Sequence, residues 1–256
     1  MSTRIHPTAV VDPDVELATD VKVGPYAVIE GGTVVGDRTE IMAHAQILRG
    51  TTVGADCKLF PGAVIGGSPQ DVGYKSGINP VIIGNGTTLR EFVTINRSTR
   101  AEGTVIGSNA YLMAYVHVGH DGQVGDHVIL ANCVQLGGFA QVHEYAFIGG
   151  NTPIHQFCRV GAHAFVGGGY RVVQDVPPYV LASGEPLRFG GLNVVGLRRR
   201  GFPAEVRAQI KKAYKLIYRS SYNLSQAVAI IKEEMEPTPE IQTILSFIEQ
   251  GTRGII

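Results

Sequence analysis

The sequence predicts a mainly β protein: a parallel β-helix built from hexapeptide repeats, followed by a small C-terminal α-helical region. Three observations carry this reading. An aliphatic residue recurs every six positions over two long stretches. The register breaks at two short polar segments and resumes after each. Past Pro203 the apolar spacing changes from six to helical intervals.

The first stretch reads IHPTAV, VDPDVE, LATDVK, VGPYAV and so on, with an aliphatic residue at every sixth position from Ile5 to Ile65. A short middle piece holds Ile83, Leu89 and Ile95, and the third runs from Ile106 to Val166. Each hexapeptide supplies one short strand and a turn, with the aliphatic side chain pointing inward. Small residues fill the space near each corner, and glycine or asparagine is expected where the turn needs positive φ. Three hexapeptides close one triangular coil, so like residues stack about 4.8 Å apart along the axis. Self-similarity at a fixed period is the mark of a solenoid. The repeat by itself does not set the hand of the coil.

The first break, GGSPQDVGYKSGINPV at residues 66–81, and the second, RSTRAEGTV at 97–105, read as loops outside the coil. Solenoid insertions commonly gather on the binding face. After Val166, Pro177 and Pro178 argue against a regular strand or helix. Pro203 suits the first turn of a helix, and Val206, Ile210, Ala213, Leu216 and Ile217 follow helical spacing. Further helices are expected over Leu224–Glu236, stopped by Pro237, and over Glu240–Gln250. The division is therefore a β-helix over 1–190 and a helical region over 191–256 that covers the open end of the coil.

Composition narrows the function classes. The 33 glycines, the absence of tryptophan and a charged fraction of 17% fit a turn-rich β scaffold. Net charge is zero, so no basic field points to nucleic acid. Cys57, Cys133 and Cys158 are too few and too scattered for a disulfide framework. The N-terminus lacks a signal core, and no apolar run reaches membrane-spanning length. A soluble cytoplasmic protein without an integral membrane segment is expected.

Chemistry concentrates in VHVGHDGQ, which holds His117, His120 and Asp121, with His143, His155 and Gln156 further on. A carboxylate beside an imidazole fixes its tautomer and makes it a better base. No GxSxG elbow is present, which argues against a covalent intermediate. Direct transfer needs only a base that deprotonates an acceptor. Zinc held by His117, His120 and His143 between subunits is the rival reading, and the expectation is no metal and no cofactor. The run Val166–Gly169, with Gly168 in it, is not a phosphate loop. Its side-chain-free positions suit tight corners, or a groove for an acyl tail whose length Tyr170 helps to set. Arg198, Arg199 and Arg200 form a basic run, read as a helix start, that suits either solvent or phosphate.

The stretches HVGHD, IGGNTPIHQFCRVGAHAFVGG, QDVPPYV, GLRRRGF and AYKLIYRS make the whole chain resemble the UDP-N-acetylglucosamine O-acyltransferases that begin lipid A synthesis. The resemblance implies a left-handed coil, an exception to the usual right-handed crossover. It also implies homotrimers with active sites between subunits, and a 3-hydroxyacyl chain delivered by acyl carrier protein to a UDP-amino sugar. His120 would be the general base, Asp121 its partner and the Gly138 N–H the oxyanion donor. His117, His155 and Gln156 would contact the sugar or acyl chain, and Asp71 the sugar. Asn193 and Arg199 would hold the nucleotide and its phosphates. Three positions depart from the family pattern: Gly73 stands for a lysine, Val195 for a glutamate and Phe139 for a histidine. Relatives lacking that lysine acylate a 3-amino sugar, so the expectation extends to that acceptor. A hexapeptide-repeat acyltransferase using acetyl-CoA on another amino sugar is the alternative.

Overall fold

A computed structural model describes residues 2–256. Among them, short parallel strands stack into three sheets of 11, 8 and 8 strands, the three faces of a left-handed β-helix. Most strands are two residues long, one side chain pointing out and one in. Val11 starts one inward column, and Ile29, Ile47, Ile65, Ile95, Val118, Leu136 and Ile154 continue it in register. Ile29 through Ile154 are at most 2% exposed, so each hexapeptide contributes one dry aliphatic to a continuous core.

The corners differ from expectation. Left-handed backbone falls on Asp20, Tyr26, Arg38, His44, Tyr145 and their equivalents, with φ near 60°, more often than on glycine. Such a residue costs about 1–2 kcal/mol, while one buried aliphatic returns about 1.5–3 kcal/mol. Burial therefore wins within each repeat. Hydrogen bonds to the coil below, such as Tyr145 N–H to Asp126 at 2.9 Å, and stacked rings such as His127 on Tyr145 help hold the corners. The glycines that follow the aliphatic residue serve another need. A Cβ on Gly36 would stand 2.6 Å from the Ala55 nitrogen of the next coil.

Coil length locates the insertions. Val23, Ile41 and Leu59 pair at intervals of 18 residues. Leu59 then pairs with Leu89, 30 residues on, and Leu89 with Leu112, 23 residues on. The extra residues leave the coil at the same corner in consecutive turns, between the second and third sheets.

The last coil closes through single bridges from Val172 to Ile154 and from Val176 to Val160. The stretch past the two prolines is more regular than expected. Strand Val180–Ser183 extends the first sheet and pairs antiparallel with Arg188–Leu192. Pro177 and Pro178 precede the hairpin and so leave its ladder intact.

Four helices follow: α1 Val194–Arg199, α2 Ala204–Arg219, α3 Leu224–Glu234 and α4 Pro239–Glu249. Pro203 occupies the N-cap of α2, one position before the expected one. Asn223 and Gln226 form a reciprocal capping box on α3, and Thr238 caps α4. Ile210, Ala213, Tyr214, Ile231, Ile241 and Ile244 join the coil's core. The buried Tyr214 hydroxyl donates to the Pro178 carbonyl at 2.6 Å. Arg159 donates to Asp175 at 2.6 Å and to the Phe247 carbonyl of α4 at 2.7 Å, while Asp175 also accepts from the Ile256 N–H at 3.0 Å. Among the described residues no helix is long and apolar enough to cross a membrane.

Candidate active site

Both insertions leave the corner where His120 lies in the next coil. They also hold each other. The Asn79 amide donates to the Ser98 carbonyl at 3.1 Å, and the Arg97 N–H to the Gly67 carbonyl at 2.7 Å.

Asp121 takes the left-handed corner position, with φ of 61°. Its carboxylate is buried and accepts from the His120 Nδ1 at 2.7 Å. The Ser98 hydroxyl donates to its other oxygen, and the Thr99 hydroxyl and N–H add bonds at 2.7 and 3.2 Å. Burial alone would push the Asp121 acid up, and that is the largest single effect. The hydrogen bonds from Ser98, His120 and Thr99 outweigh it and hold the carboxyl below its ordinary range. An ionised Asp121 accepts at Nδ1, so the network assigns that proton and leaves Nε2 with its lone pair.

Across the imidazole lies Gly138. A Cβ there would stand 2.6 Å from His120 Nε2, so the position requires glycine for space rather than for φ. Its N–H is not claimed by the coil. Gly137 and Phe139, on either side, donate to Ile154 and His120 at 2.9 and 3.0 Å, while Gly138 donates to no described residue.

His120, Gly138, His117 and Gln156 line one pocket of about 390 Å³. Sequence reasoning missed three of its polar side chains, Gln70, Asn96 and Gln135. His117 meets the Thr94 hydroxyl at 2.8 Å, and burial, then the neighbouring His120, lowers its pKa and keeps it neutral. Phe139 does not line the pocket. It packs edge-on against His120 at 5.3 Å, stacks on Phe157 at 4.9 Å, and carries the Arg100 guanidinium at 4.6 Å.

Other expected site residues lie elsewhere in the chain. His155 is exposed and does not line the pocket; its Nδ1 meets the Gln156 carbonyl at 3.0 Å. Asp71 is exposed beside Gln70 and accepts from the Gly73 N–H at 2.8 Å. Asn193, Val195 and Arg199 line a cleft of about 770 Å³ on the first sheet, with Tyr145, Phe147 and Phe165. The Asn193 amide caps α1 through the Gly196 N–H at 3.1 Å and donates to the His163 carbonyl at 3.0 Å. The arginine run closes α1 rather than opening a helix: Arg198 and Arg199 form its last turn and Arg200 its C-cap. There the cations complement the negative end of the helix. Gly168 sits at an exposed corner, packed so closely that a Cβ on Gly149 would meet its nitrogen at 2.3 Å. His143 packs on Phe247 at 5.6 Å, and among the described residues no three His, Cys, Asp or Glu side chains converge to hold a metal ion.

An imidazole held by a buried carboxylate, on the same pocket as an unclaimed backbone N–H, is an arrangement that suits transfer of an acyl group. Residues 103–138, which carry both halves of that arrangement, match the family model described as bacterial transferase hexapeptide (six repeats). The fold and site thus define a hexapeptide-repeat acyltransferase. Residues 175–256 match the model described as UDP-N-acetylglucosamine O-acyltransferase, domain 2. The chain is 46% identical over 254 residues, 98% of each chain, to the acyl-(acyl-carrier-protein)–UDP-N-acetylglucosamine O-acyltransferase of Thermodesulfovibrio yellowstonii. It is 43% identical over 256 residues, 99% of each chain, to that of Syntrophobacter fumaroxidans. The crystal structure of the Bacteroides fragilis UDP-N-acetylglucosamine acyltransferase matches with a TM-score of 0.95 at 41% identity, over 98% of this chain and 99% of that one. The chain belongs to the UDP-N-acetylglucosamine O-acyltransferase family.

Proposed function

We propose that this enzyme transfers a 3-hydroxyacyl chain from acyl carrier protein to the 3-position of UDP-N-acetylglucosamine, the first step of lipid A synthesis. The carrying observation is the His120–Asp121 pair, with Nε2 open to the pocket and Gly138 facing it. His120 Nε2 takes the acceptor's proton as its oxygen attacks the thioester carbonyl. The Gly138 N–H receives the oxyanion. The intermediate then collapses, the carrier's thiolate leaves, and the imidazolium returns the proton to sulfur. Asp121 stays ionised throughout and steadies the imidazolium.

The second cleft supports a homotrimeric reading. Arg199 and Asn193 sit on another sheet of the prism from His120, so a nucleotide held by both groups needs a neighbouring subunit. The side-chain-free surface at Gly168 suits the acyl tail.

A 3-amino acceptor is a second reading. Among the described residues no lysine lines the His120 pocket, whose polar side chains are amides and imidazoles. An acceptor that passes through an ammonium during attack is better placed there than beside a fixed cation.

The test is transfer from a panel of 3-hydroxyacyl carrier proteins to UDP-N-acetylglucosamine and to its 3-amino analogue. His120→Ala should lose at least about 10²-fold in kcat. Transfer from acetyl-CoA alone would sink this reading.

A further inference from the structure

The imidazole of His120 is held by a single hydrogen bond. Its Nδ1 bonds to Asp121 at 2.7 Å, and its side chain has no other hydrogen-bond partner among the described residues. One bond fixes one atom. The torsion that tips an imidazole about its Cβ–Cγ bond has a broad minimum, and Gly138 has no side chain to limit the swing. The aim of Nε2 therefore depends on packing.

Phe139 supplies that packing. Its ring stands edge-on to the imidazole, with 5.3 Å between centroids and 89° between planes, a favourable geometry for two rings. Rings meet at other corners too, Tyr26 on His44 and Phe92 on Tyr115, as parallel stacks. Phe139 differs in being gripped by two separate elements. Phe157, one coil on, stacks on it at 4.9 Å, and Arg100 of the second insertion lays its guanidinium over it at 4.6 Å. Arg100 is exposed, and its guanidinium makes no hydrogen bond or ion pair among the described residues, so the ring is what it engages. The Arg100 N–H donates at 2.8 Å to the Ser98 hydroxyl oxygen, the same group that donates to Asp121.

We propose that Phe139 and Arg100 are positioning residues that fix the tilt of the His120 ring. One turn of the second insertion then holds the imidazole twice: Ser98 and Thr99 act through Asp121, and Arg100 acts through Phe139. This rests on His120 being the base of the proposed reaction. A phenyl ring neither gives nor takes a proton, so its part is placement. Placement is costly to lose, because a shift of about 1 Å at a reacting centre lowers the rate by up to about 10²-fold.

The experiment measures steady-state transfer to UDP-N-acetylglucosamine by Phe139→Asn, Arg100→Met and the double variant. Asparagine removes the ring and suits the backbone, since Asn109 and Asn151 take other corners with φ of 55° and 56°. Phe139→Asn should lose about tenfold or more in kcat, and Arg100→Met about three- to tenfold. The KM for either substrate, the limbs of the pH profile and the melting temperature should stay at wild-type values. Phe139→Tyr keeps a ring and should stay within about threefold of wild type. The double variant should be no worse than Phe139→Asn alone, because Arg100 acts only through the ring. Wild-type kcat in Phe139→Asn overturns the proposal. So does an Arg100→Met loss that falls on KM or persists in full without the ring, which would set the guanidinium on substrate instead. Should Phe139→Asn fail to fold, Arg100→Met decides, and wild-type kcat there overturns the proposal as well. A crystal structure of Phe139→Asn reads the ring without substrate: a His120 imidazole unmoved against Gly138 overturns it. Wild-type inactivity toward UDP-N-acetylglucosamine would strike at the proposed reaction and leave that structural readout to decide the placement.

Discussion

The hydroxyl of Ser98 donates to the carboxylate of Asp121, joining the second insertion to the group that holds His120. Thr99 adds two more donors. Ser98→Ala and Thr99→Val remove the two hydroxyl donors, keep the Thr99 N–H and His120, and so leave burial, which raises a carboxylic acid, less opposed. The Asp121 acid then climbs from its lowered position, and activity that needs it ionised fails earlier on acidification. The acid limb of the pH profile of kcat/KM should move to higher pH, with kcat down about tenfold. Thr99→Ser keeps the donor and should stay near wild type. Unmoved limbs in both donor-less variants would confine these side chains to loop structure.

Gly138→Ala should be nearly as damaging as loss of the base. The backbone there needs no positive φ, so the coil should fold. The new methyl would overlap Nε2 at 2.6 Å and turn the imidazole away. A fall of about 10²-fold or more in kcat, with unchanged melting, is expected. Wild-type turnover would mean that the ring and the glycine do not share the reacting space.

His163 predicts a loss of stability in mild acid. It stacks between Tyr145 at 4.8 Å and Tyr179 at 5.6 Å, and burial, then the charge of Arg200, brings its pKa down from 6.5 to about 4. The unfolded chain takes up a proton near the ordinary value, while the native ring does so only near the lowered one. The native state is therefore favoured fully above about 6.5 and loses that advantage between about 6.5 and 4. His163→Phe keeps the stack and should flatten the fall in melting temperature across that window. A curve parallel to wild type would assign the acid sensitivity elsewhere.

The buried Arg159–Asp175 pair, at the end of the coil under α4, should matter far more than the surface pair between α3 and α4. The Asp175 side chain is 1% exposed and Arg159 11%. Arg159→Met strands a carboxylate in the interior, and a loss of about 3–5 kcal/mol in urea unfolding is expected. Lys232 and Glu249 also pair, but their side chains are 52% and 47% exposed. Lys232→Met should therefore cost less than about 1 kcal/mol. Equal losses would show that the Arg159 cluster does not anchor α4.

The coil was legible because its signal is one repeated inward aliphatic, and helices α2 to α4 because their apolar spacing and prolines are local. His120 and Asp121 stood out by residue type and Gly138 only through the family resemblance, and the structure brings the three together. Ser98 and Thr99 were not legible, because their role appears only once the two loops fold onto one corner. Asn96, Gln70 and Gln135 carry no charge and break no pattern, so nothing in one dimension marks them. Helix α1 escaped notice because six residues after a glycine pair give too little periodicity. The hairpin at Val180 was hidden by reading two prolines as the end of regular structure, although both precede its ladder.

Both loops spring from one corner of a solenoid whose turns otherwise keep strict step. Material added at such a corner keeps the inward aliphatics in register, at the cost of one irregularity in the pairing between Ile65 and Gly67. Under the proposed function, residues 68–80, which bring Gln70 to the pocket, can be rewritten to reshape the acceptor site while the stack that holds His120 and Gly138 stays in place.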